Sequence, residues 1–526
     1  MKLLIFLVAF GLPFGAYARK AKYRNLKSRP VMTSNQDFKR LYKLYRKGAM
    51  KPHMLWRKLS KLSRYQSLTR KNRLVLKQMQ ADLLLDAKLP VAASMYAADA
   101  LKISKNPHAE AMNSSWHILN KVSKVRPIQY LLEDLALALK MDGRNPYKFG
   151  NDWNYIIGNA LSEKGYDEKA SLFYKRVNQS SRYFMPSRYQ VAMIDFEKER
   201  FSGAAASLKS ILMSSTRKTS PLSEKDQEEM WDYANMALGR LLYQQKKFLS
   251  AARYFRRVNK NSALYYDALF EQSWALFMSG NPKHSLGSLY GSGSPFFEEI
   301  YNPEAKVLES IVYFWMCRYD DSRNSLADFA ERYSESVENL SAFVDRNSFS
   351  YDSAYRLFEN LVTGVSSQSL GIPRDVLNSA ASRDTMLLLR DQLATIMTEY
   401  DRLKKFGVLG SKFEIAVPLS RIESTKKNLR KKLGQQFIAE LKAERDHYDR
   451  LYSQSQFLYL ELLMSEKEQL LGRELHASSK VSDVSNYDDI RGWGRNTQSW
   501  KGEKKGEFWW DEIGYHIVNV EPRCMD

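Results

Sequence analysis

Cysteine is nearly absent from this 526-residue chain, with Cys317 and Cys524 its only two. That excludes a disulfide-dense scaffold. In an oxidising compartment one bridge between them and two free thiols stand as open alternatives. Glycine (24) and proline (15) are scarce for the length, which argues against collagen-like, low-complexity or loop-rich β architectures and favours helices. Long apolar runs are missing as well. Beyond the first residues no stretch approaches the length that a membrane-spanning helix needs. Acidic residues are missing from the front of the chain: residues 19–80 hold one, Asp37, against 20 Lys and Arg. The net charge of +22 therefore sits almost entirely there, ahead of a nearly neutral body.

Hydrophobic residues (44%) and aromatics (13%) are abundant enough for a sizeable core. The first residues read as an export signal: Lys2, an apolar run from Leu3 to Phe14, and Ala16-Tyr17-Ala18 as a small-x-small cleavage site. The mature chain is expected to start near Arg19 and to be periplasmic or secreted. No cysteine follows the apolar run, so a lipid-anchored form is not expected.

Within residues 19–80, Phe38, Leu41, Tyr42 and Tyr45 recur at helical spacing, as do Leu55, Leu59 and Leu62, with Ser34 or Asn35 as a candidate cap. Basic amphipathic helices suit an anionic surface such as lipid head groups, cell-wall polymer or an acidic protein. The plainer reading is a solvated face on a terminal helical cap. Nucleic acid is not an expected partner of an exported chain.

The body carries an internal repeat. In Ile157-Gly158-Asn159-Ala160-Leu161, followed by Gly165-Tyr166, Ala170 and Tyr174, a small residue recurs after 12 positions and a large one follows four later. One small residue in each of two antiparallel helices lets their backbones approach, and the large one fills the space beside the contact. Ala192, Ala204 and Leu208 repeat the pattern, as do Gly239, Ala251 and Phe255, and Ser310, Ser322 and Leu326. Another copy is read at Ala275 and Gly287, around Gly280-Asn281-Pro282, and an earlier one at Ala81, Ala93 and Ala97. The anchors Gly158, Ala192, Gly239, Ala275 and Ser310 are separated by 34, 47, 36 and 35 residues. The long interval coincides with a polar insertion, Ser214 to Lys225, expected to be a surface loop. This pattern resembles the tetratricopeptide repeat (TPR) family over residues 150–335. The resemblance implies an α-solenoid whose concave surface binds peptides or protein segments.

Ser273-Trp274-Ala275-Leu276-Phe277, Ser294-Pro295-Phe296-Phe297 and Tyr313-Phe314-Trp315-Met316-Cys317 are similar to the repeat region of periplasmic proteins near the adventurous gliding-motility machinery of predatory and social bacteria. Phe508-Trp509-Trp510 with Arg523-Cys524 is similar too. That narrower resemblance implies membership of a cell-envelope complex.

After the repeats, Met386, Leu389, Leu393, Ile396, Tyr400 and Leu403 mark one helix. A longer one carries Ile422, Leu429, Leu433, Phe437, Leu441, Tyr448, Leu451, Phe457, Leu462 and Leu470, with mixed spacings of a helical hairpin or coiled coil. Trp493, Trp500, Trp509 and Trp510 then crowd a tail that should dock, on its own repeats or on another protein. Were Cys317 and Cys524 bridged, the tail would be fastened to its own repeats.

The expected organisation is all-α: a signal peptide (1–18), a basic helical region (19–80), TPR-like repeats (81–335), a helical hairpin or coiled-coil-like region (336–476), and a linker with an aromatic docking tail (477–526). Catalysis is not expected. The seven histidines form no H-E-x-x-H pair and no zinc spacing, and neither a G-x-S-x-G elbow nor a phosphate loop occurs. The acid pairs Glu298-Glu299, Asp320-Asp321 and Asp511-Glu512 read as turn and cap residues. No cofactor or metal is expected. The function these features imply is a periplasmic scaffold that holds other envelope proteins. The alternative is a module binding cell wall or another anionic surface through its basic helices, and least favoured is an enzyme with a scattered site.

Overall fold

A computed structural model describes residues 36–63, 68–140, 148–214, 222–297, 300, 302–345, 350–364, 374–408, 416–471, 498–500, 510 and 513–524. Residues 1–18, where an export signal is expected, and Trp493 and Trp509 lie outside them. The protein is all-α. Its helices are α1 (Gln36–Lys47), α2 (Pro52–Leu62), α3 (Arg70–Asp86), α4 (Pro90–Ile103), α5 (Asn113–Ser123), α6 (Gln129–Ala138), α7 (Asp152–Ser162), α8 (Asp167–Lys175), α9 (Phe184–Glu197), α10 (Phe201–Ser214), α11 (Glu224–Gln244), α12 (Phe248–Phe255), α13 (Tyr265–Met278), α14 (Pro282–Ser292), α15 (Glu304–Trp315), α16 (Tyr319–Asp345), α17 (Tyr351–Thr363), α18 (Arg374–Ala381), α19 (Asp384–Val408) and α20 (Ala416–Leu470). Two three-residue strands, β1 (Gln498–Trp500) and β2 (His516–Val518), pair in parallel. The chain forms two compact units, Met1–Gly150 with Thr395–Glu423, and Asn151–Ala394 with Ser424–Asp526.

In the first unit, Phe38, Leu41, Tyr42 and Tyr45 of α1 and Leu55, Trp56, Leu59 and Leu62 of α2 are all buried. The apolar faces of these basic helices are therefore spent on the unit's own core, and Lys39, Arg40, Lys43, Arg46, Arg57, Lys58 and Lys61 remain on the surface. Arg421 forks onto Asp99 at 2.7 and 3.0 Å, and Lys77 lies 3.3 Å from the same carboxylate. The Glu399 side chain of α19 is buried at the first turn of α4, accepting N–H bonds from Val91 (2.7 Å) and Ala92 (2.5 Å). Pro90 opens that turn and has no N–H to offer. Burial pushes the Glu399 carboxyl up to about 7, against the pull of the two N–H bonds, Arg402 and Arg126.

In the second unit, α7–α8, α9–α10, α11–α12, α13–α14 and α15–α16 pack as successive helical hairpins, each also contacting the next. In the first unit α3–α4 is built in the same way. All six share one turn. A single residue with positive φ closes the first helix: Lys88, Gly165, Glu199, Lys246, Gly280 and Cys317, at φ of +54° to +80°. The N–H after it donates five residues back, as in Leu89 to Leu84, Tyr166 to Leu161, Arg200 to Asp195, Lys247 to Leu242, Asn281 to Leu276 and Arg318 to Tyr313. These bonds satisfy carbonyls that the helix end leaves unpaired.

The small-residue contacts sit at fixed offsets from that turn. Gly158, Ala192, Gly239 and Ser310 lie seven residues before the positive-φ residue, and Ala170, Ala204, Ala251 and Ser322 lie five after it. A Cβ on Gly158 would run into the Tyr174 ring, and one on Gly239 would come 2.5 Å from the Phe255 ring. Where both small residues are serines their hydroxyls are paired: Ser310 Oγ donates to Ser322 O at 2.9 Å, and Ser322 Oγ to Ser310 O at 3.0 Å. In the α13–α14 hairpin the same offsets fall on Ser273 and Ser285, where Ser285 Oγ donates to Ser273 O at 2.8 Å. Ala275 and Gly287, taken from the sequence as this copy's anchors, stand two residues out of register. Ala275 packs instead in a cluster with Met236 and Phe255. Part of the polar insertion is helix, because α11 begins at Glu224, capped by Ser223, and runs 21 residues.

α20 is 55 residues long. Ile422, Leu429, Leu433, Phe437, Leu441, Tyr448, Leu451, Leu458 and Leu462 are buried along it. Phe457, expected on this seam, is 69% exposed, and its neighbour Leu458 takes the place. Within the second unit, Tyr448 stacks on Phe329 at 5.6 Å, Glu444 accepts from Arg383 at 2.6 Å, and Gly434 lies against the Tyr351 carbonyl.

Two outcomes are expected. Lys246→Gly removes a left-handed cost of about 1 kcal/mol and raises the melting temperature, whereas Gly239→Ala overpacks against Phe255 and destabilises by roughly 1–3 kcal/mol. Thermal unfolding followed by circular dichroism checks both. For Glu399 the folded pKa lies above the unfolded one, so its contribution to stability is complete below about pH 4.5 and is lost as the pH rises to about 7. The shift is worth roughly 3 kcal/mol. Glu399→Gln should abolish this component in unfolding curves across that range.

Candidate interaction surface under the C-terminal tail

The C-terminal tail of the chain is seated on the hairpins of the second unit. Residues 513–524 lie across the second unit from the end of α12 to the α15–α16 turn. Tyr265 of α13 donates its hydroxyl to Ile513 O at 2.8 Å. Burial holds that hydroxyl well above its usual pKa, so it stays a donor throughout the neutral range. Ile513 is fully buried beside Tyr265 and Leu269, with Phe297 and Trp510 packed at the edge. The Trp510 ring meets Phe296 at 5.3 Å and Tyr265 at 6.0 Å.

Gly514 follows in the left-handed region at φ +87°, where a Cβ would also press on the Tyr265 hydroxyl. The Tyr515 ring lies under two cations, Arg256 at 4.8 Å and Lys260 at 4.7 Å. β2 then crosses α14 so closely that a Cβ on Gly287 would overlap the His516 carbonyl, and Gly291 lies beside Gly514. This explains Gly287. It is small because the tail backbone, not the neighbouring helix, comes down on it. The His516 ring meets Tyr290 edge-on at 5.6 Å, and Val518 joins Leu286, Leu289, Leu308, Val312 and Met316 in one apolar cluster. Each such buried side chain contributes about 1.5–3 kcal/mol. His284 lines a small cleft with Arg256, Gln272, Ser288 and Tyr515, and burial, aided by Arg256, lowers its pKa.

At the far end, Lys283 pairs with Glu521 at 2.6 Å and the Arg523 N–H donates to Met316 O at 2.9 Å. Cys524 is disulfide-bonded to Cys317, the positive-φ residue of the α15–α16 turn. Asp320 and Asp321 of that turn hold Arg323 and Arg318. Glu298, Glu299, Asp511 and Glu512 lie outside the described residues.

The aromatics of the first helices are half-buried and packed on one another. Tyr155 stacks on Tyr183 at 4.5 Å, Tyr233 meets Tyr189 at 5.8 Å, and Trp274 Nε1 donates to Glu304 at 3.1 Å. Trp231 packs against the cluster of α9, α10 and α11. Sequence reasoning missed Tyr265, Arg256 and Lys260 as tail-holding residues. Gly287 and Gly291, four apart on one helix of a glycine-poor chain, were the available signal of a close crossing. Among the described residues no group of His, Cys, Asp and Glu is placed to hold a metal ion, and no helix is long and apolar enough to cross a membrane. Neither protein-family models nor curated protein sequences match this chain.

Gly287→Val should lift β2 from α14 even with the disulfide intact, read as faster hydrogen exchange of residues 513–520. Cys524→Ser alone should leave that segment docked, because Tyr265, Val518 and the Gly287 crossing remain. Unchanged exchange in Gly287→Val would show that the crossing does not seat the tail.

Proposed function

We propose that this protein is a non-catalytic scaffold of TPR type, exported to the cell envelope, whose stacked hairpins hold other envelope proteins or peptide segments. The observation that carries this reading is the sixfold recurrence of one hairpin, with the same left-handed turn, the same five-back hydrogen bond and small residues at the same offsets. Stacked repeats of this kind build extended surfaces on which a peptide can lie. Residues 513–524 mark the chemistry such a peptide would meet from the end of α12 to α14: a tyrosine donor on α13, two cations after α12 for an aromatic ring, and a glycine crossing on α14. The alternating helices of the C-terminal third, α20 above all, suit the coiled-coil-like frame of an assembly, and the resemblance to motility-associated proteins suggests an envelope complex as its setting.

A second reading has its own observation. The basic helices α1 and α2 bury their apolar faces and leave their cations outward. Such a surface engages an anionic lipid or wall polymer through charge alone, without insertion, and is screened by salt.

Crosslinked co-purification of the tagged mature protein from its native envelope, with and without residues 19–80, tests both. The scaffold reading expects discrete envelope proteins whose recovery depends on intact hairpins and is lost in a Gly239→Val variant. Recovery of wall or lipid alone, salt-sensitive and lost with residues 19–80, would replace it with the second reading.

A further inference from the structure

The distal part of α20 carries two apolar seams. Tyr448, Leu451, Ser455, Leu458 and Leu462, spaced three and four apart, are buried, the first two against Val307, Phe329 and Tyr333. Phe457, Leu460, Met464 and Lys467, with Leu471 just past the helix end, repeat that spacing nine residues on. At about 100° per residue they lie on the opposite face of the helix. This second seam is open: Phe457 is 69% exposed, Met464 67%, Leu460 56% and Leu471 52%. Tyr452, Tyr459 and Leu463 widen it along one edge, and Glu461 and Glu468 line the other. A three-and-four apolar seam is what a second helix fills in a coiled coil.

We infer that this face pairs with the same face of a second copy of the chain, the two α20 helices running antiparallel. Seven large side chains, each about half exposed and each offering roughly 200 Å² at full exposure, give on the order of 1,400 Å² buried per pair, within the range of stable interfaces. Direction follows from Lys467, the seam's one charge. A parallel pair sets Lys467 against its own counterpart. An antiparallel pair centred between Leu460 and Met464 sets it against Phe457, where its stem packs on the ring and its ammonium meets the π face. The antiparallel pair also joins the two apolar edges, Tyr459 and Leu463 to their counterparts, and brings the two Glu461 carboxylates together at the outer rim. Their repulsion is screened by salt, so the pair tightens as ionic strength rises. The inference stands independently of the repeat reading.

Sedimentation of the full mature chain across the micromolar range should show a dimer that is favoured by added salt. Leu460→Glu with Met464→Glu should give a monomer whose helical content is unchanged and whose melting temperature matches that of the native chain diluted to monomer, since neither side chain is buried within the protomer. Both native cysteines are bonded to each other, so introduced thiols report direction. Phe457→Cys together with Lys467→Cys should crosslink between copies under mild oxidation, and Phe457→Cys alone should not. A monomer throughout the range, or a dimer indifferent to the double glutamate variant, overturns the inference. Crosslinking by Phe457→Cys alone overturns the antiparallel direction.

Discussion

Two helix backbones in a short hairpin can approach closely only where side chains are small on both, and only if the chain reverses within three or four residues without stranding its carbonyls. The six hairpins meet both demands in the same way. A left-handed residue closes each first helix, and from it the small contact falls seven residues before and five after. Four of the six left-handed positions hold a residue other than glycine, so the conformation is maintained by the hairpin packing and not by local preference. Gly158 against Tyr174 and Gly239 against Phe255 show how the approach is completed: the ring occupies the volume that the missing Cβ leaves. Where serines replace glycine and alanine, the same closeness is kept by hydroxyls donating to the facing backbone, which leaves no buried donor stranded.

Close crossing is used a second time by the tail. α14 offers Gly287 and Gly291 on one face, and the tail lies on them, His516 over Gly287 and Gly514 beside Gly291, held by a tyrosine donor at one end and the Cys317–Cys524 bond at the other. The helix that supplies small serines to its partner inside the hairpin thus supplies small glycines to the tail outside it. In the first unit the comparable close approach is electrostatic, with a buried glutamate meeting the N–H groups that α4 leaves unpaired at its start.

Much of this was legible in the sequence. The 12-then-4 grammar located the hairpins because the small contact and the ring beside it are sequence-local. At α13–α14 the reading falls two residues late, because Ala275/Gly287 and Ser273/Ser285 are both small pairs twelve apart and spacing alone does not choose between them. In sequence Phe457 reads as part of the buried seam of α20, because spacings of three, four and seven do not separate it from Leu458; only the identity of the neighbours does. The site under the tail was less legible still. Tyr265, Arg256 and Lys260 meet residues more than 240 positions away, and no local pattern encodes such a pairing. Glu399 and α4 are further apart again, and an isolated glutamate in an amphipathic helix carries no mark of its burial.

The bond between Cys317 and Cys524 spans 207 residues of sequence. It closes α16 to α20 and the stretch Thr395–Glu423, which completes the first unit, into a covalent ring. Tension applied at Cys524 consequently has a covalent route through two sulfur atoms into the turn between α15 and α16, bypassing the backbone of the ring. The hairpins before Cys317 and the tail are thereby joined by a covalent path that does not run through the backbone of α20.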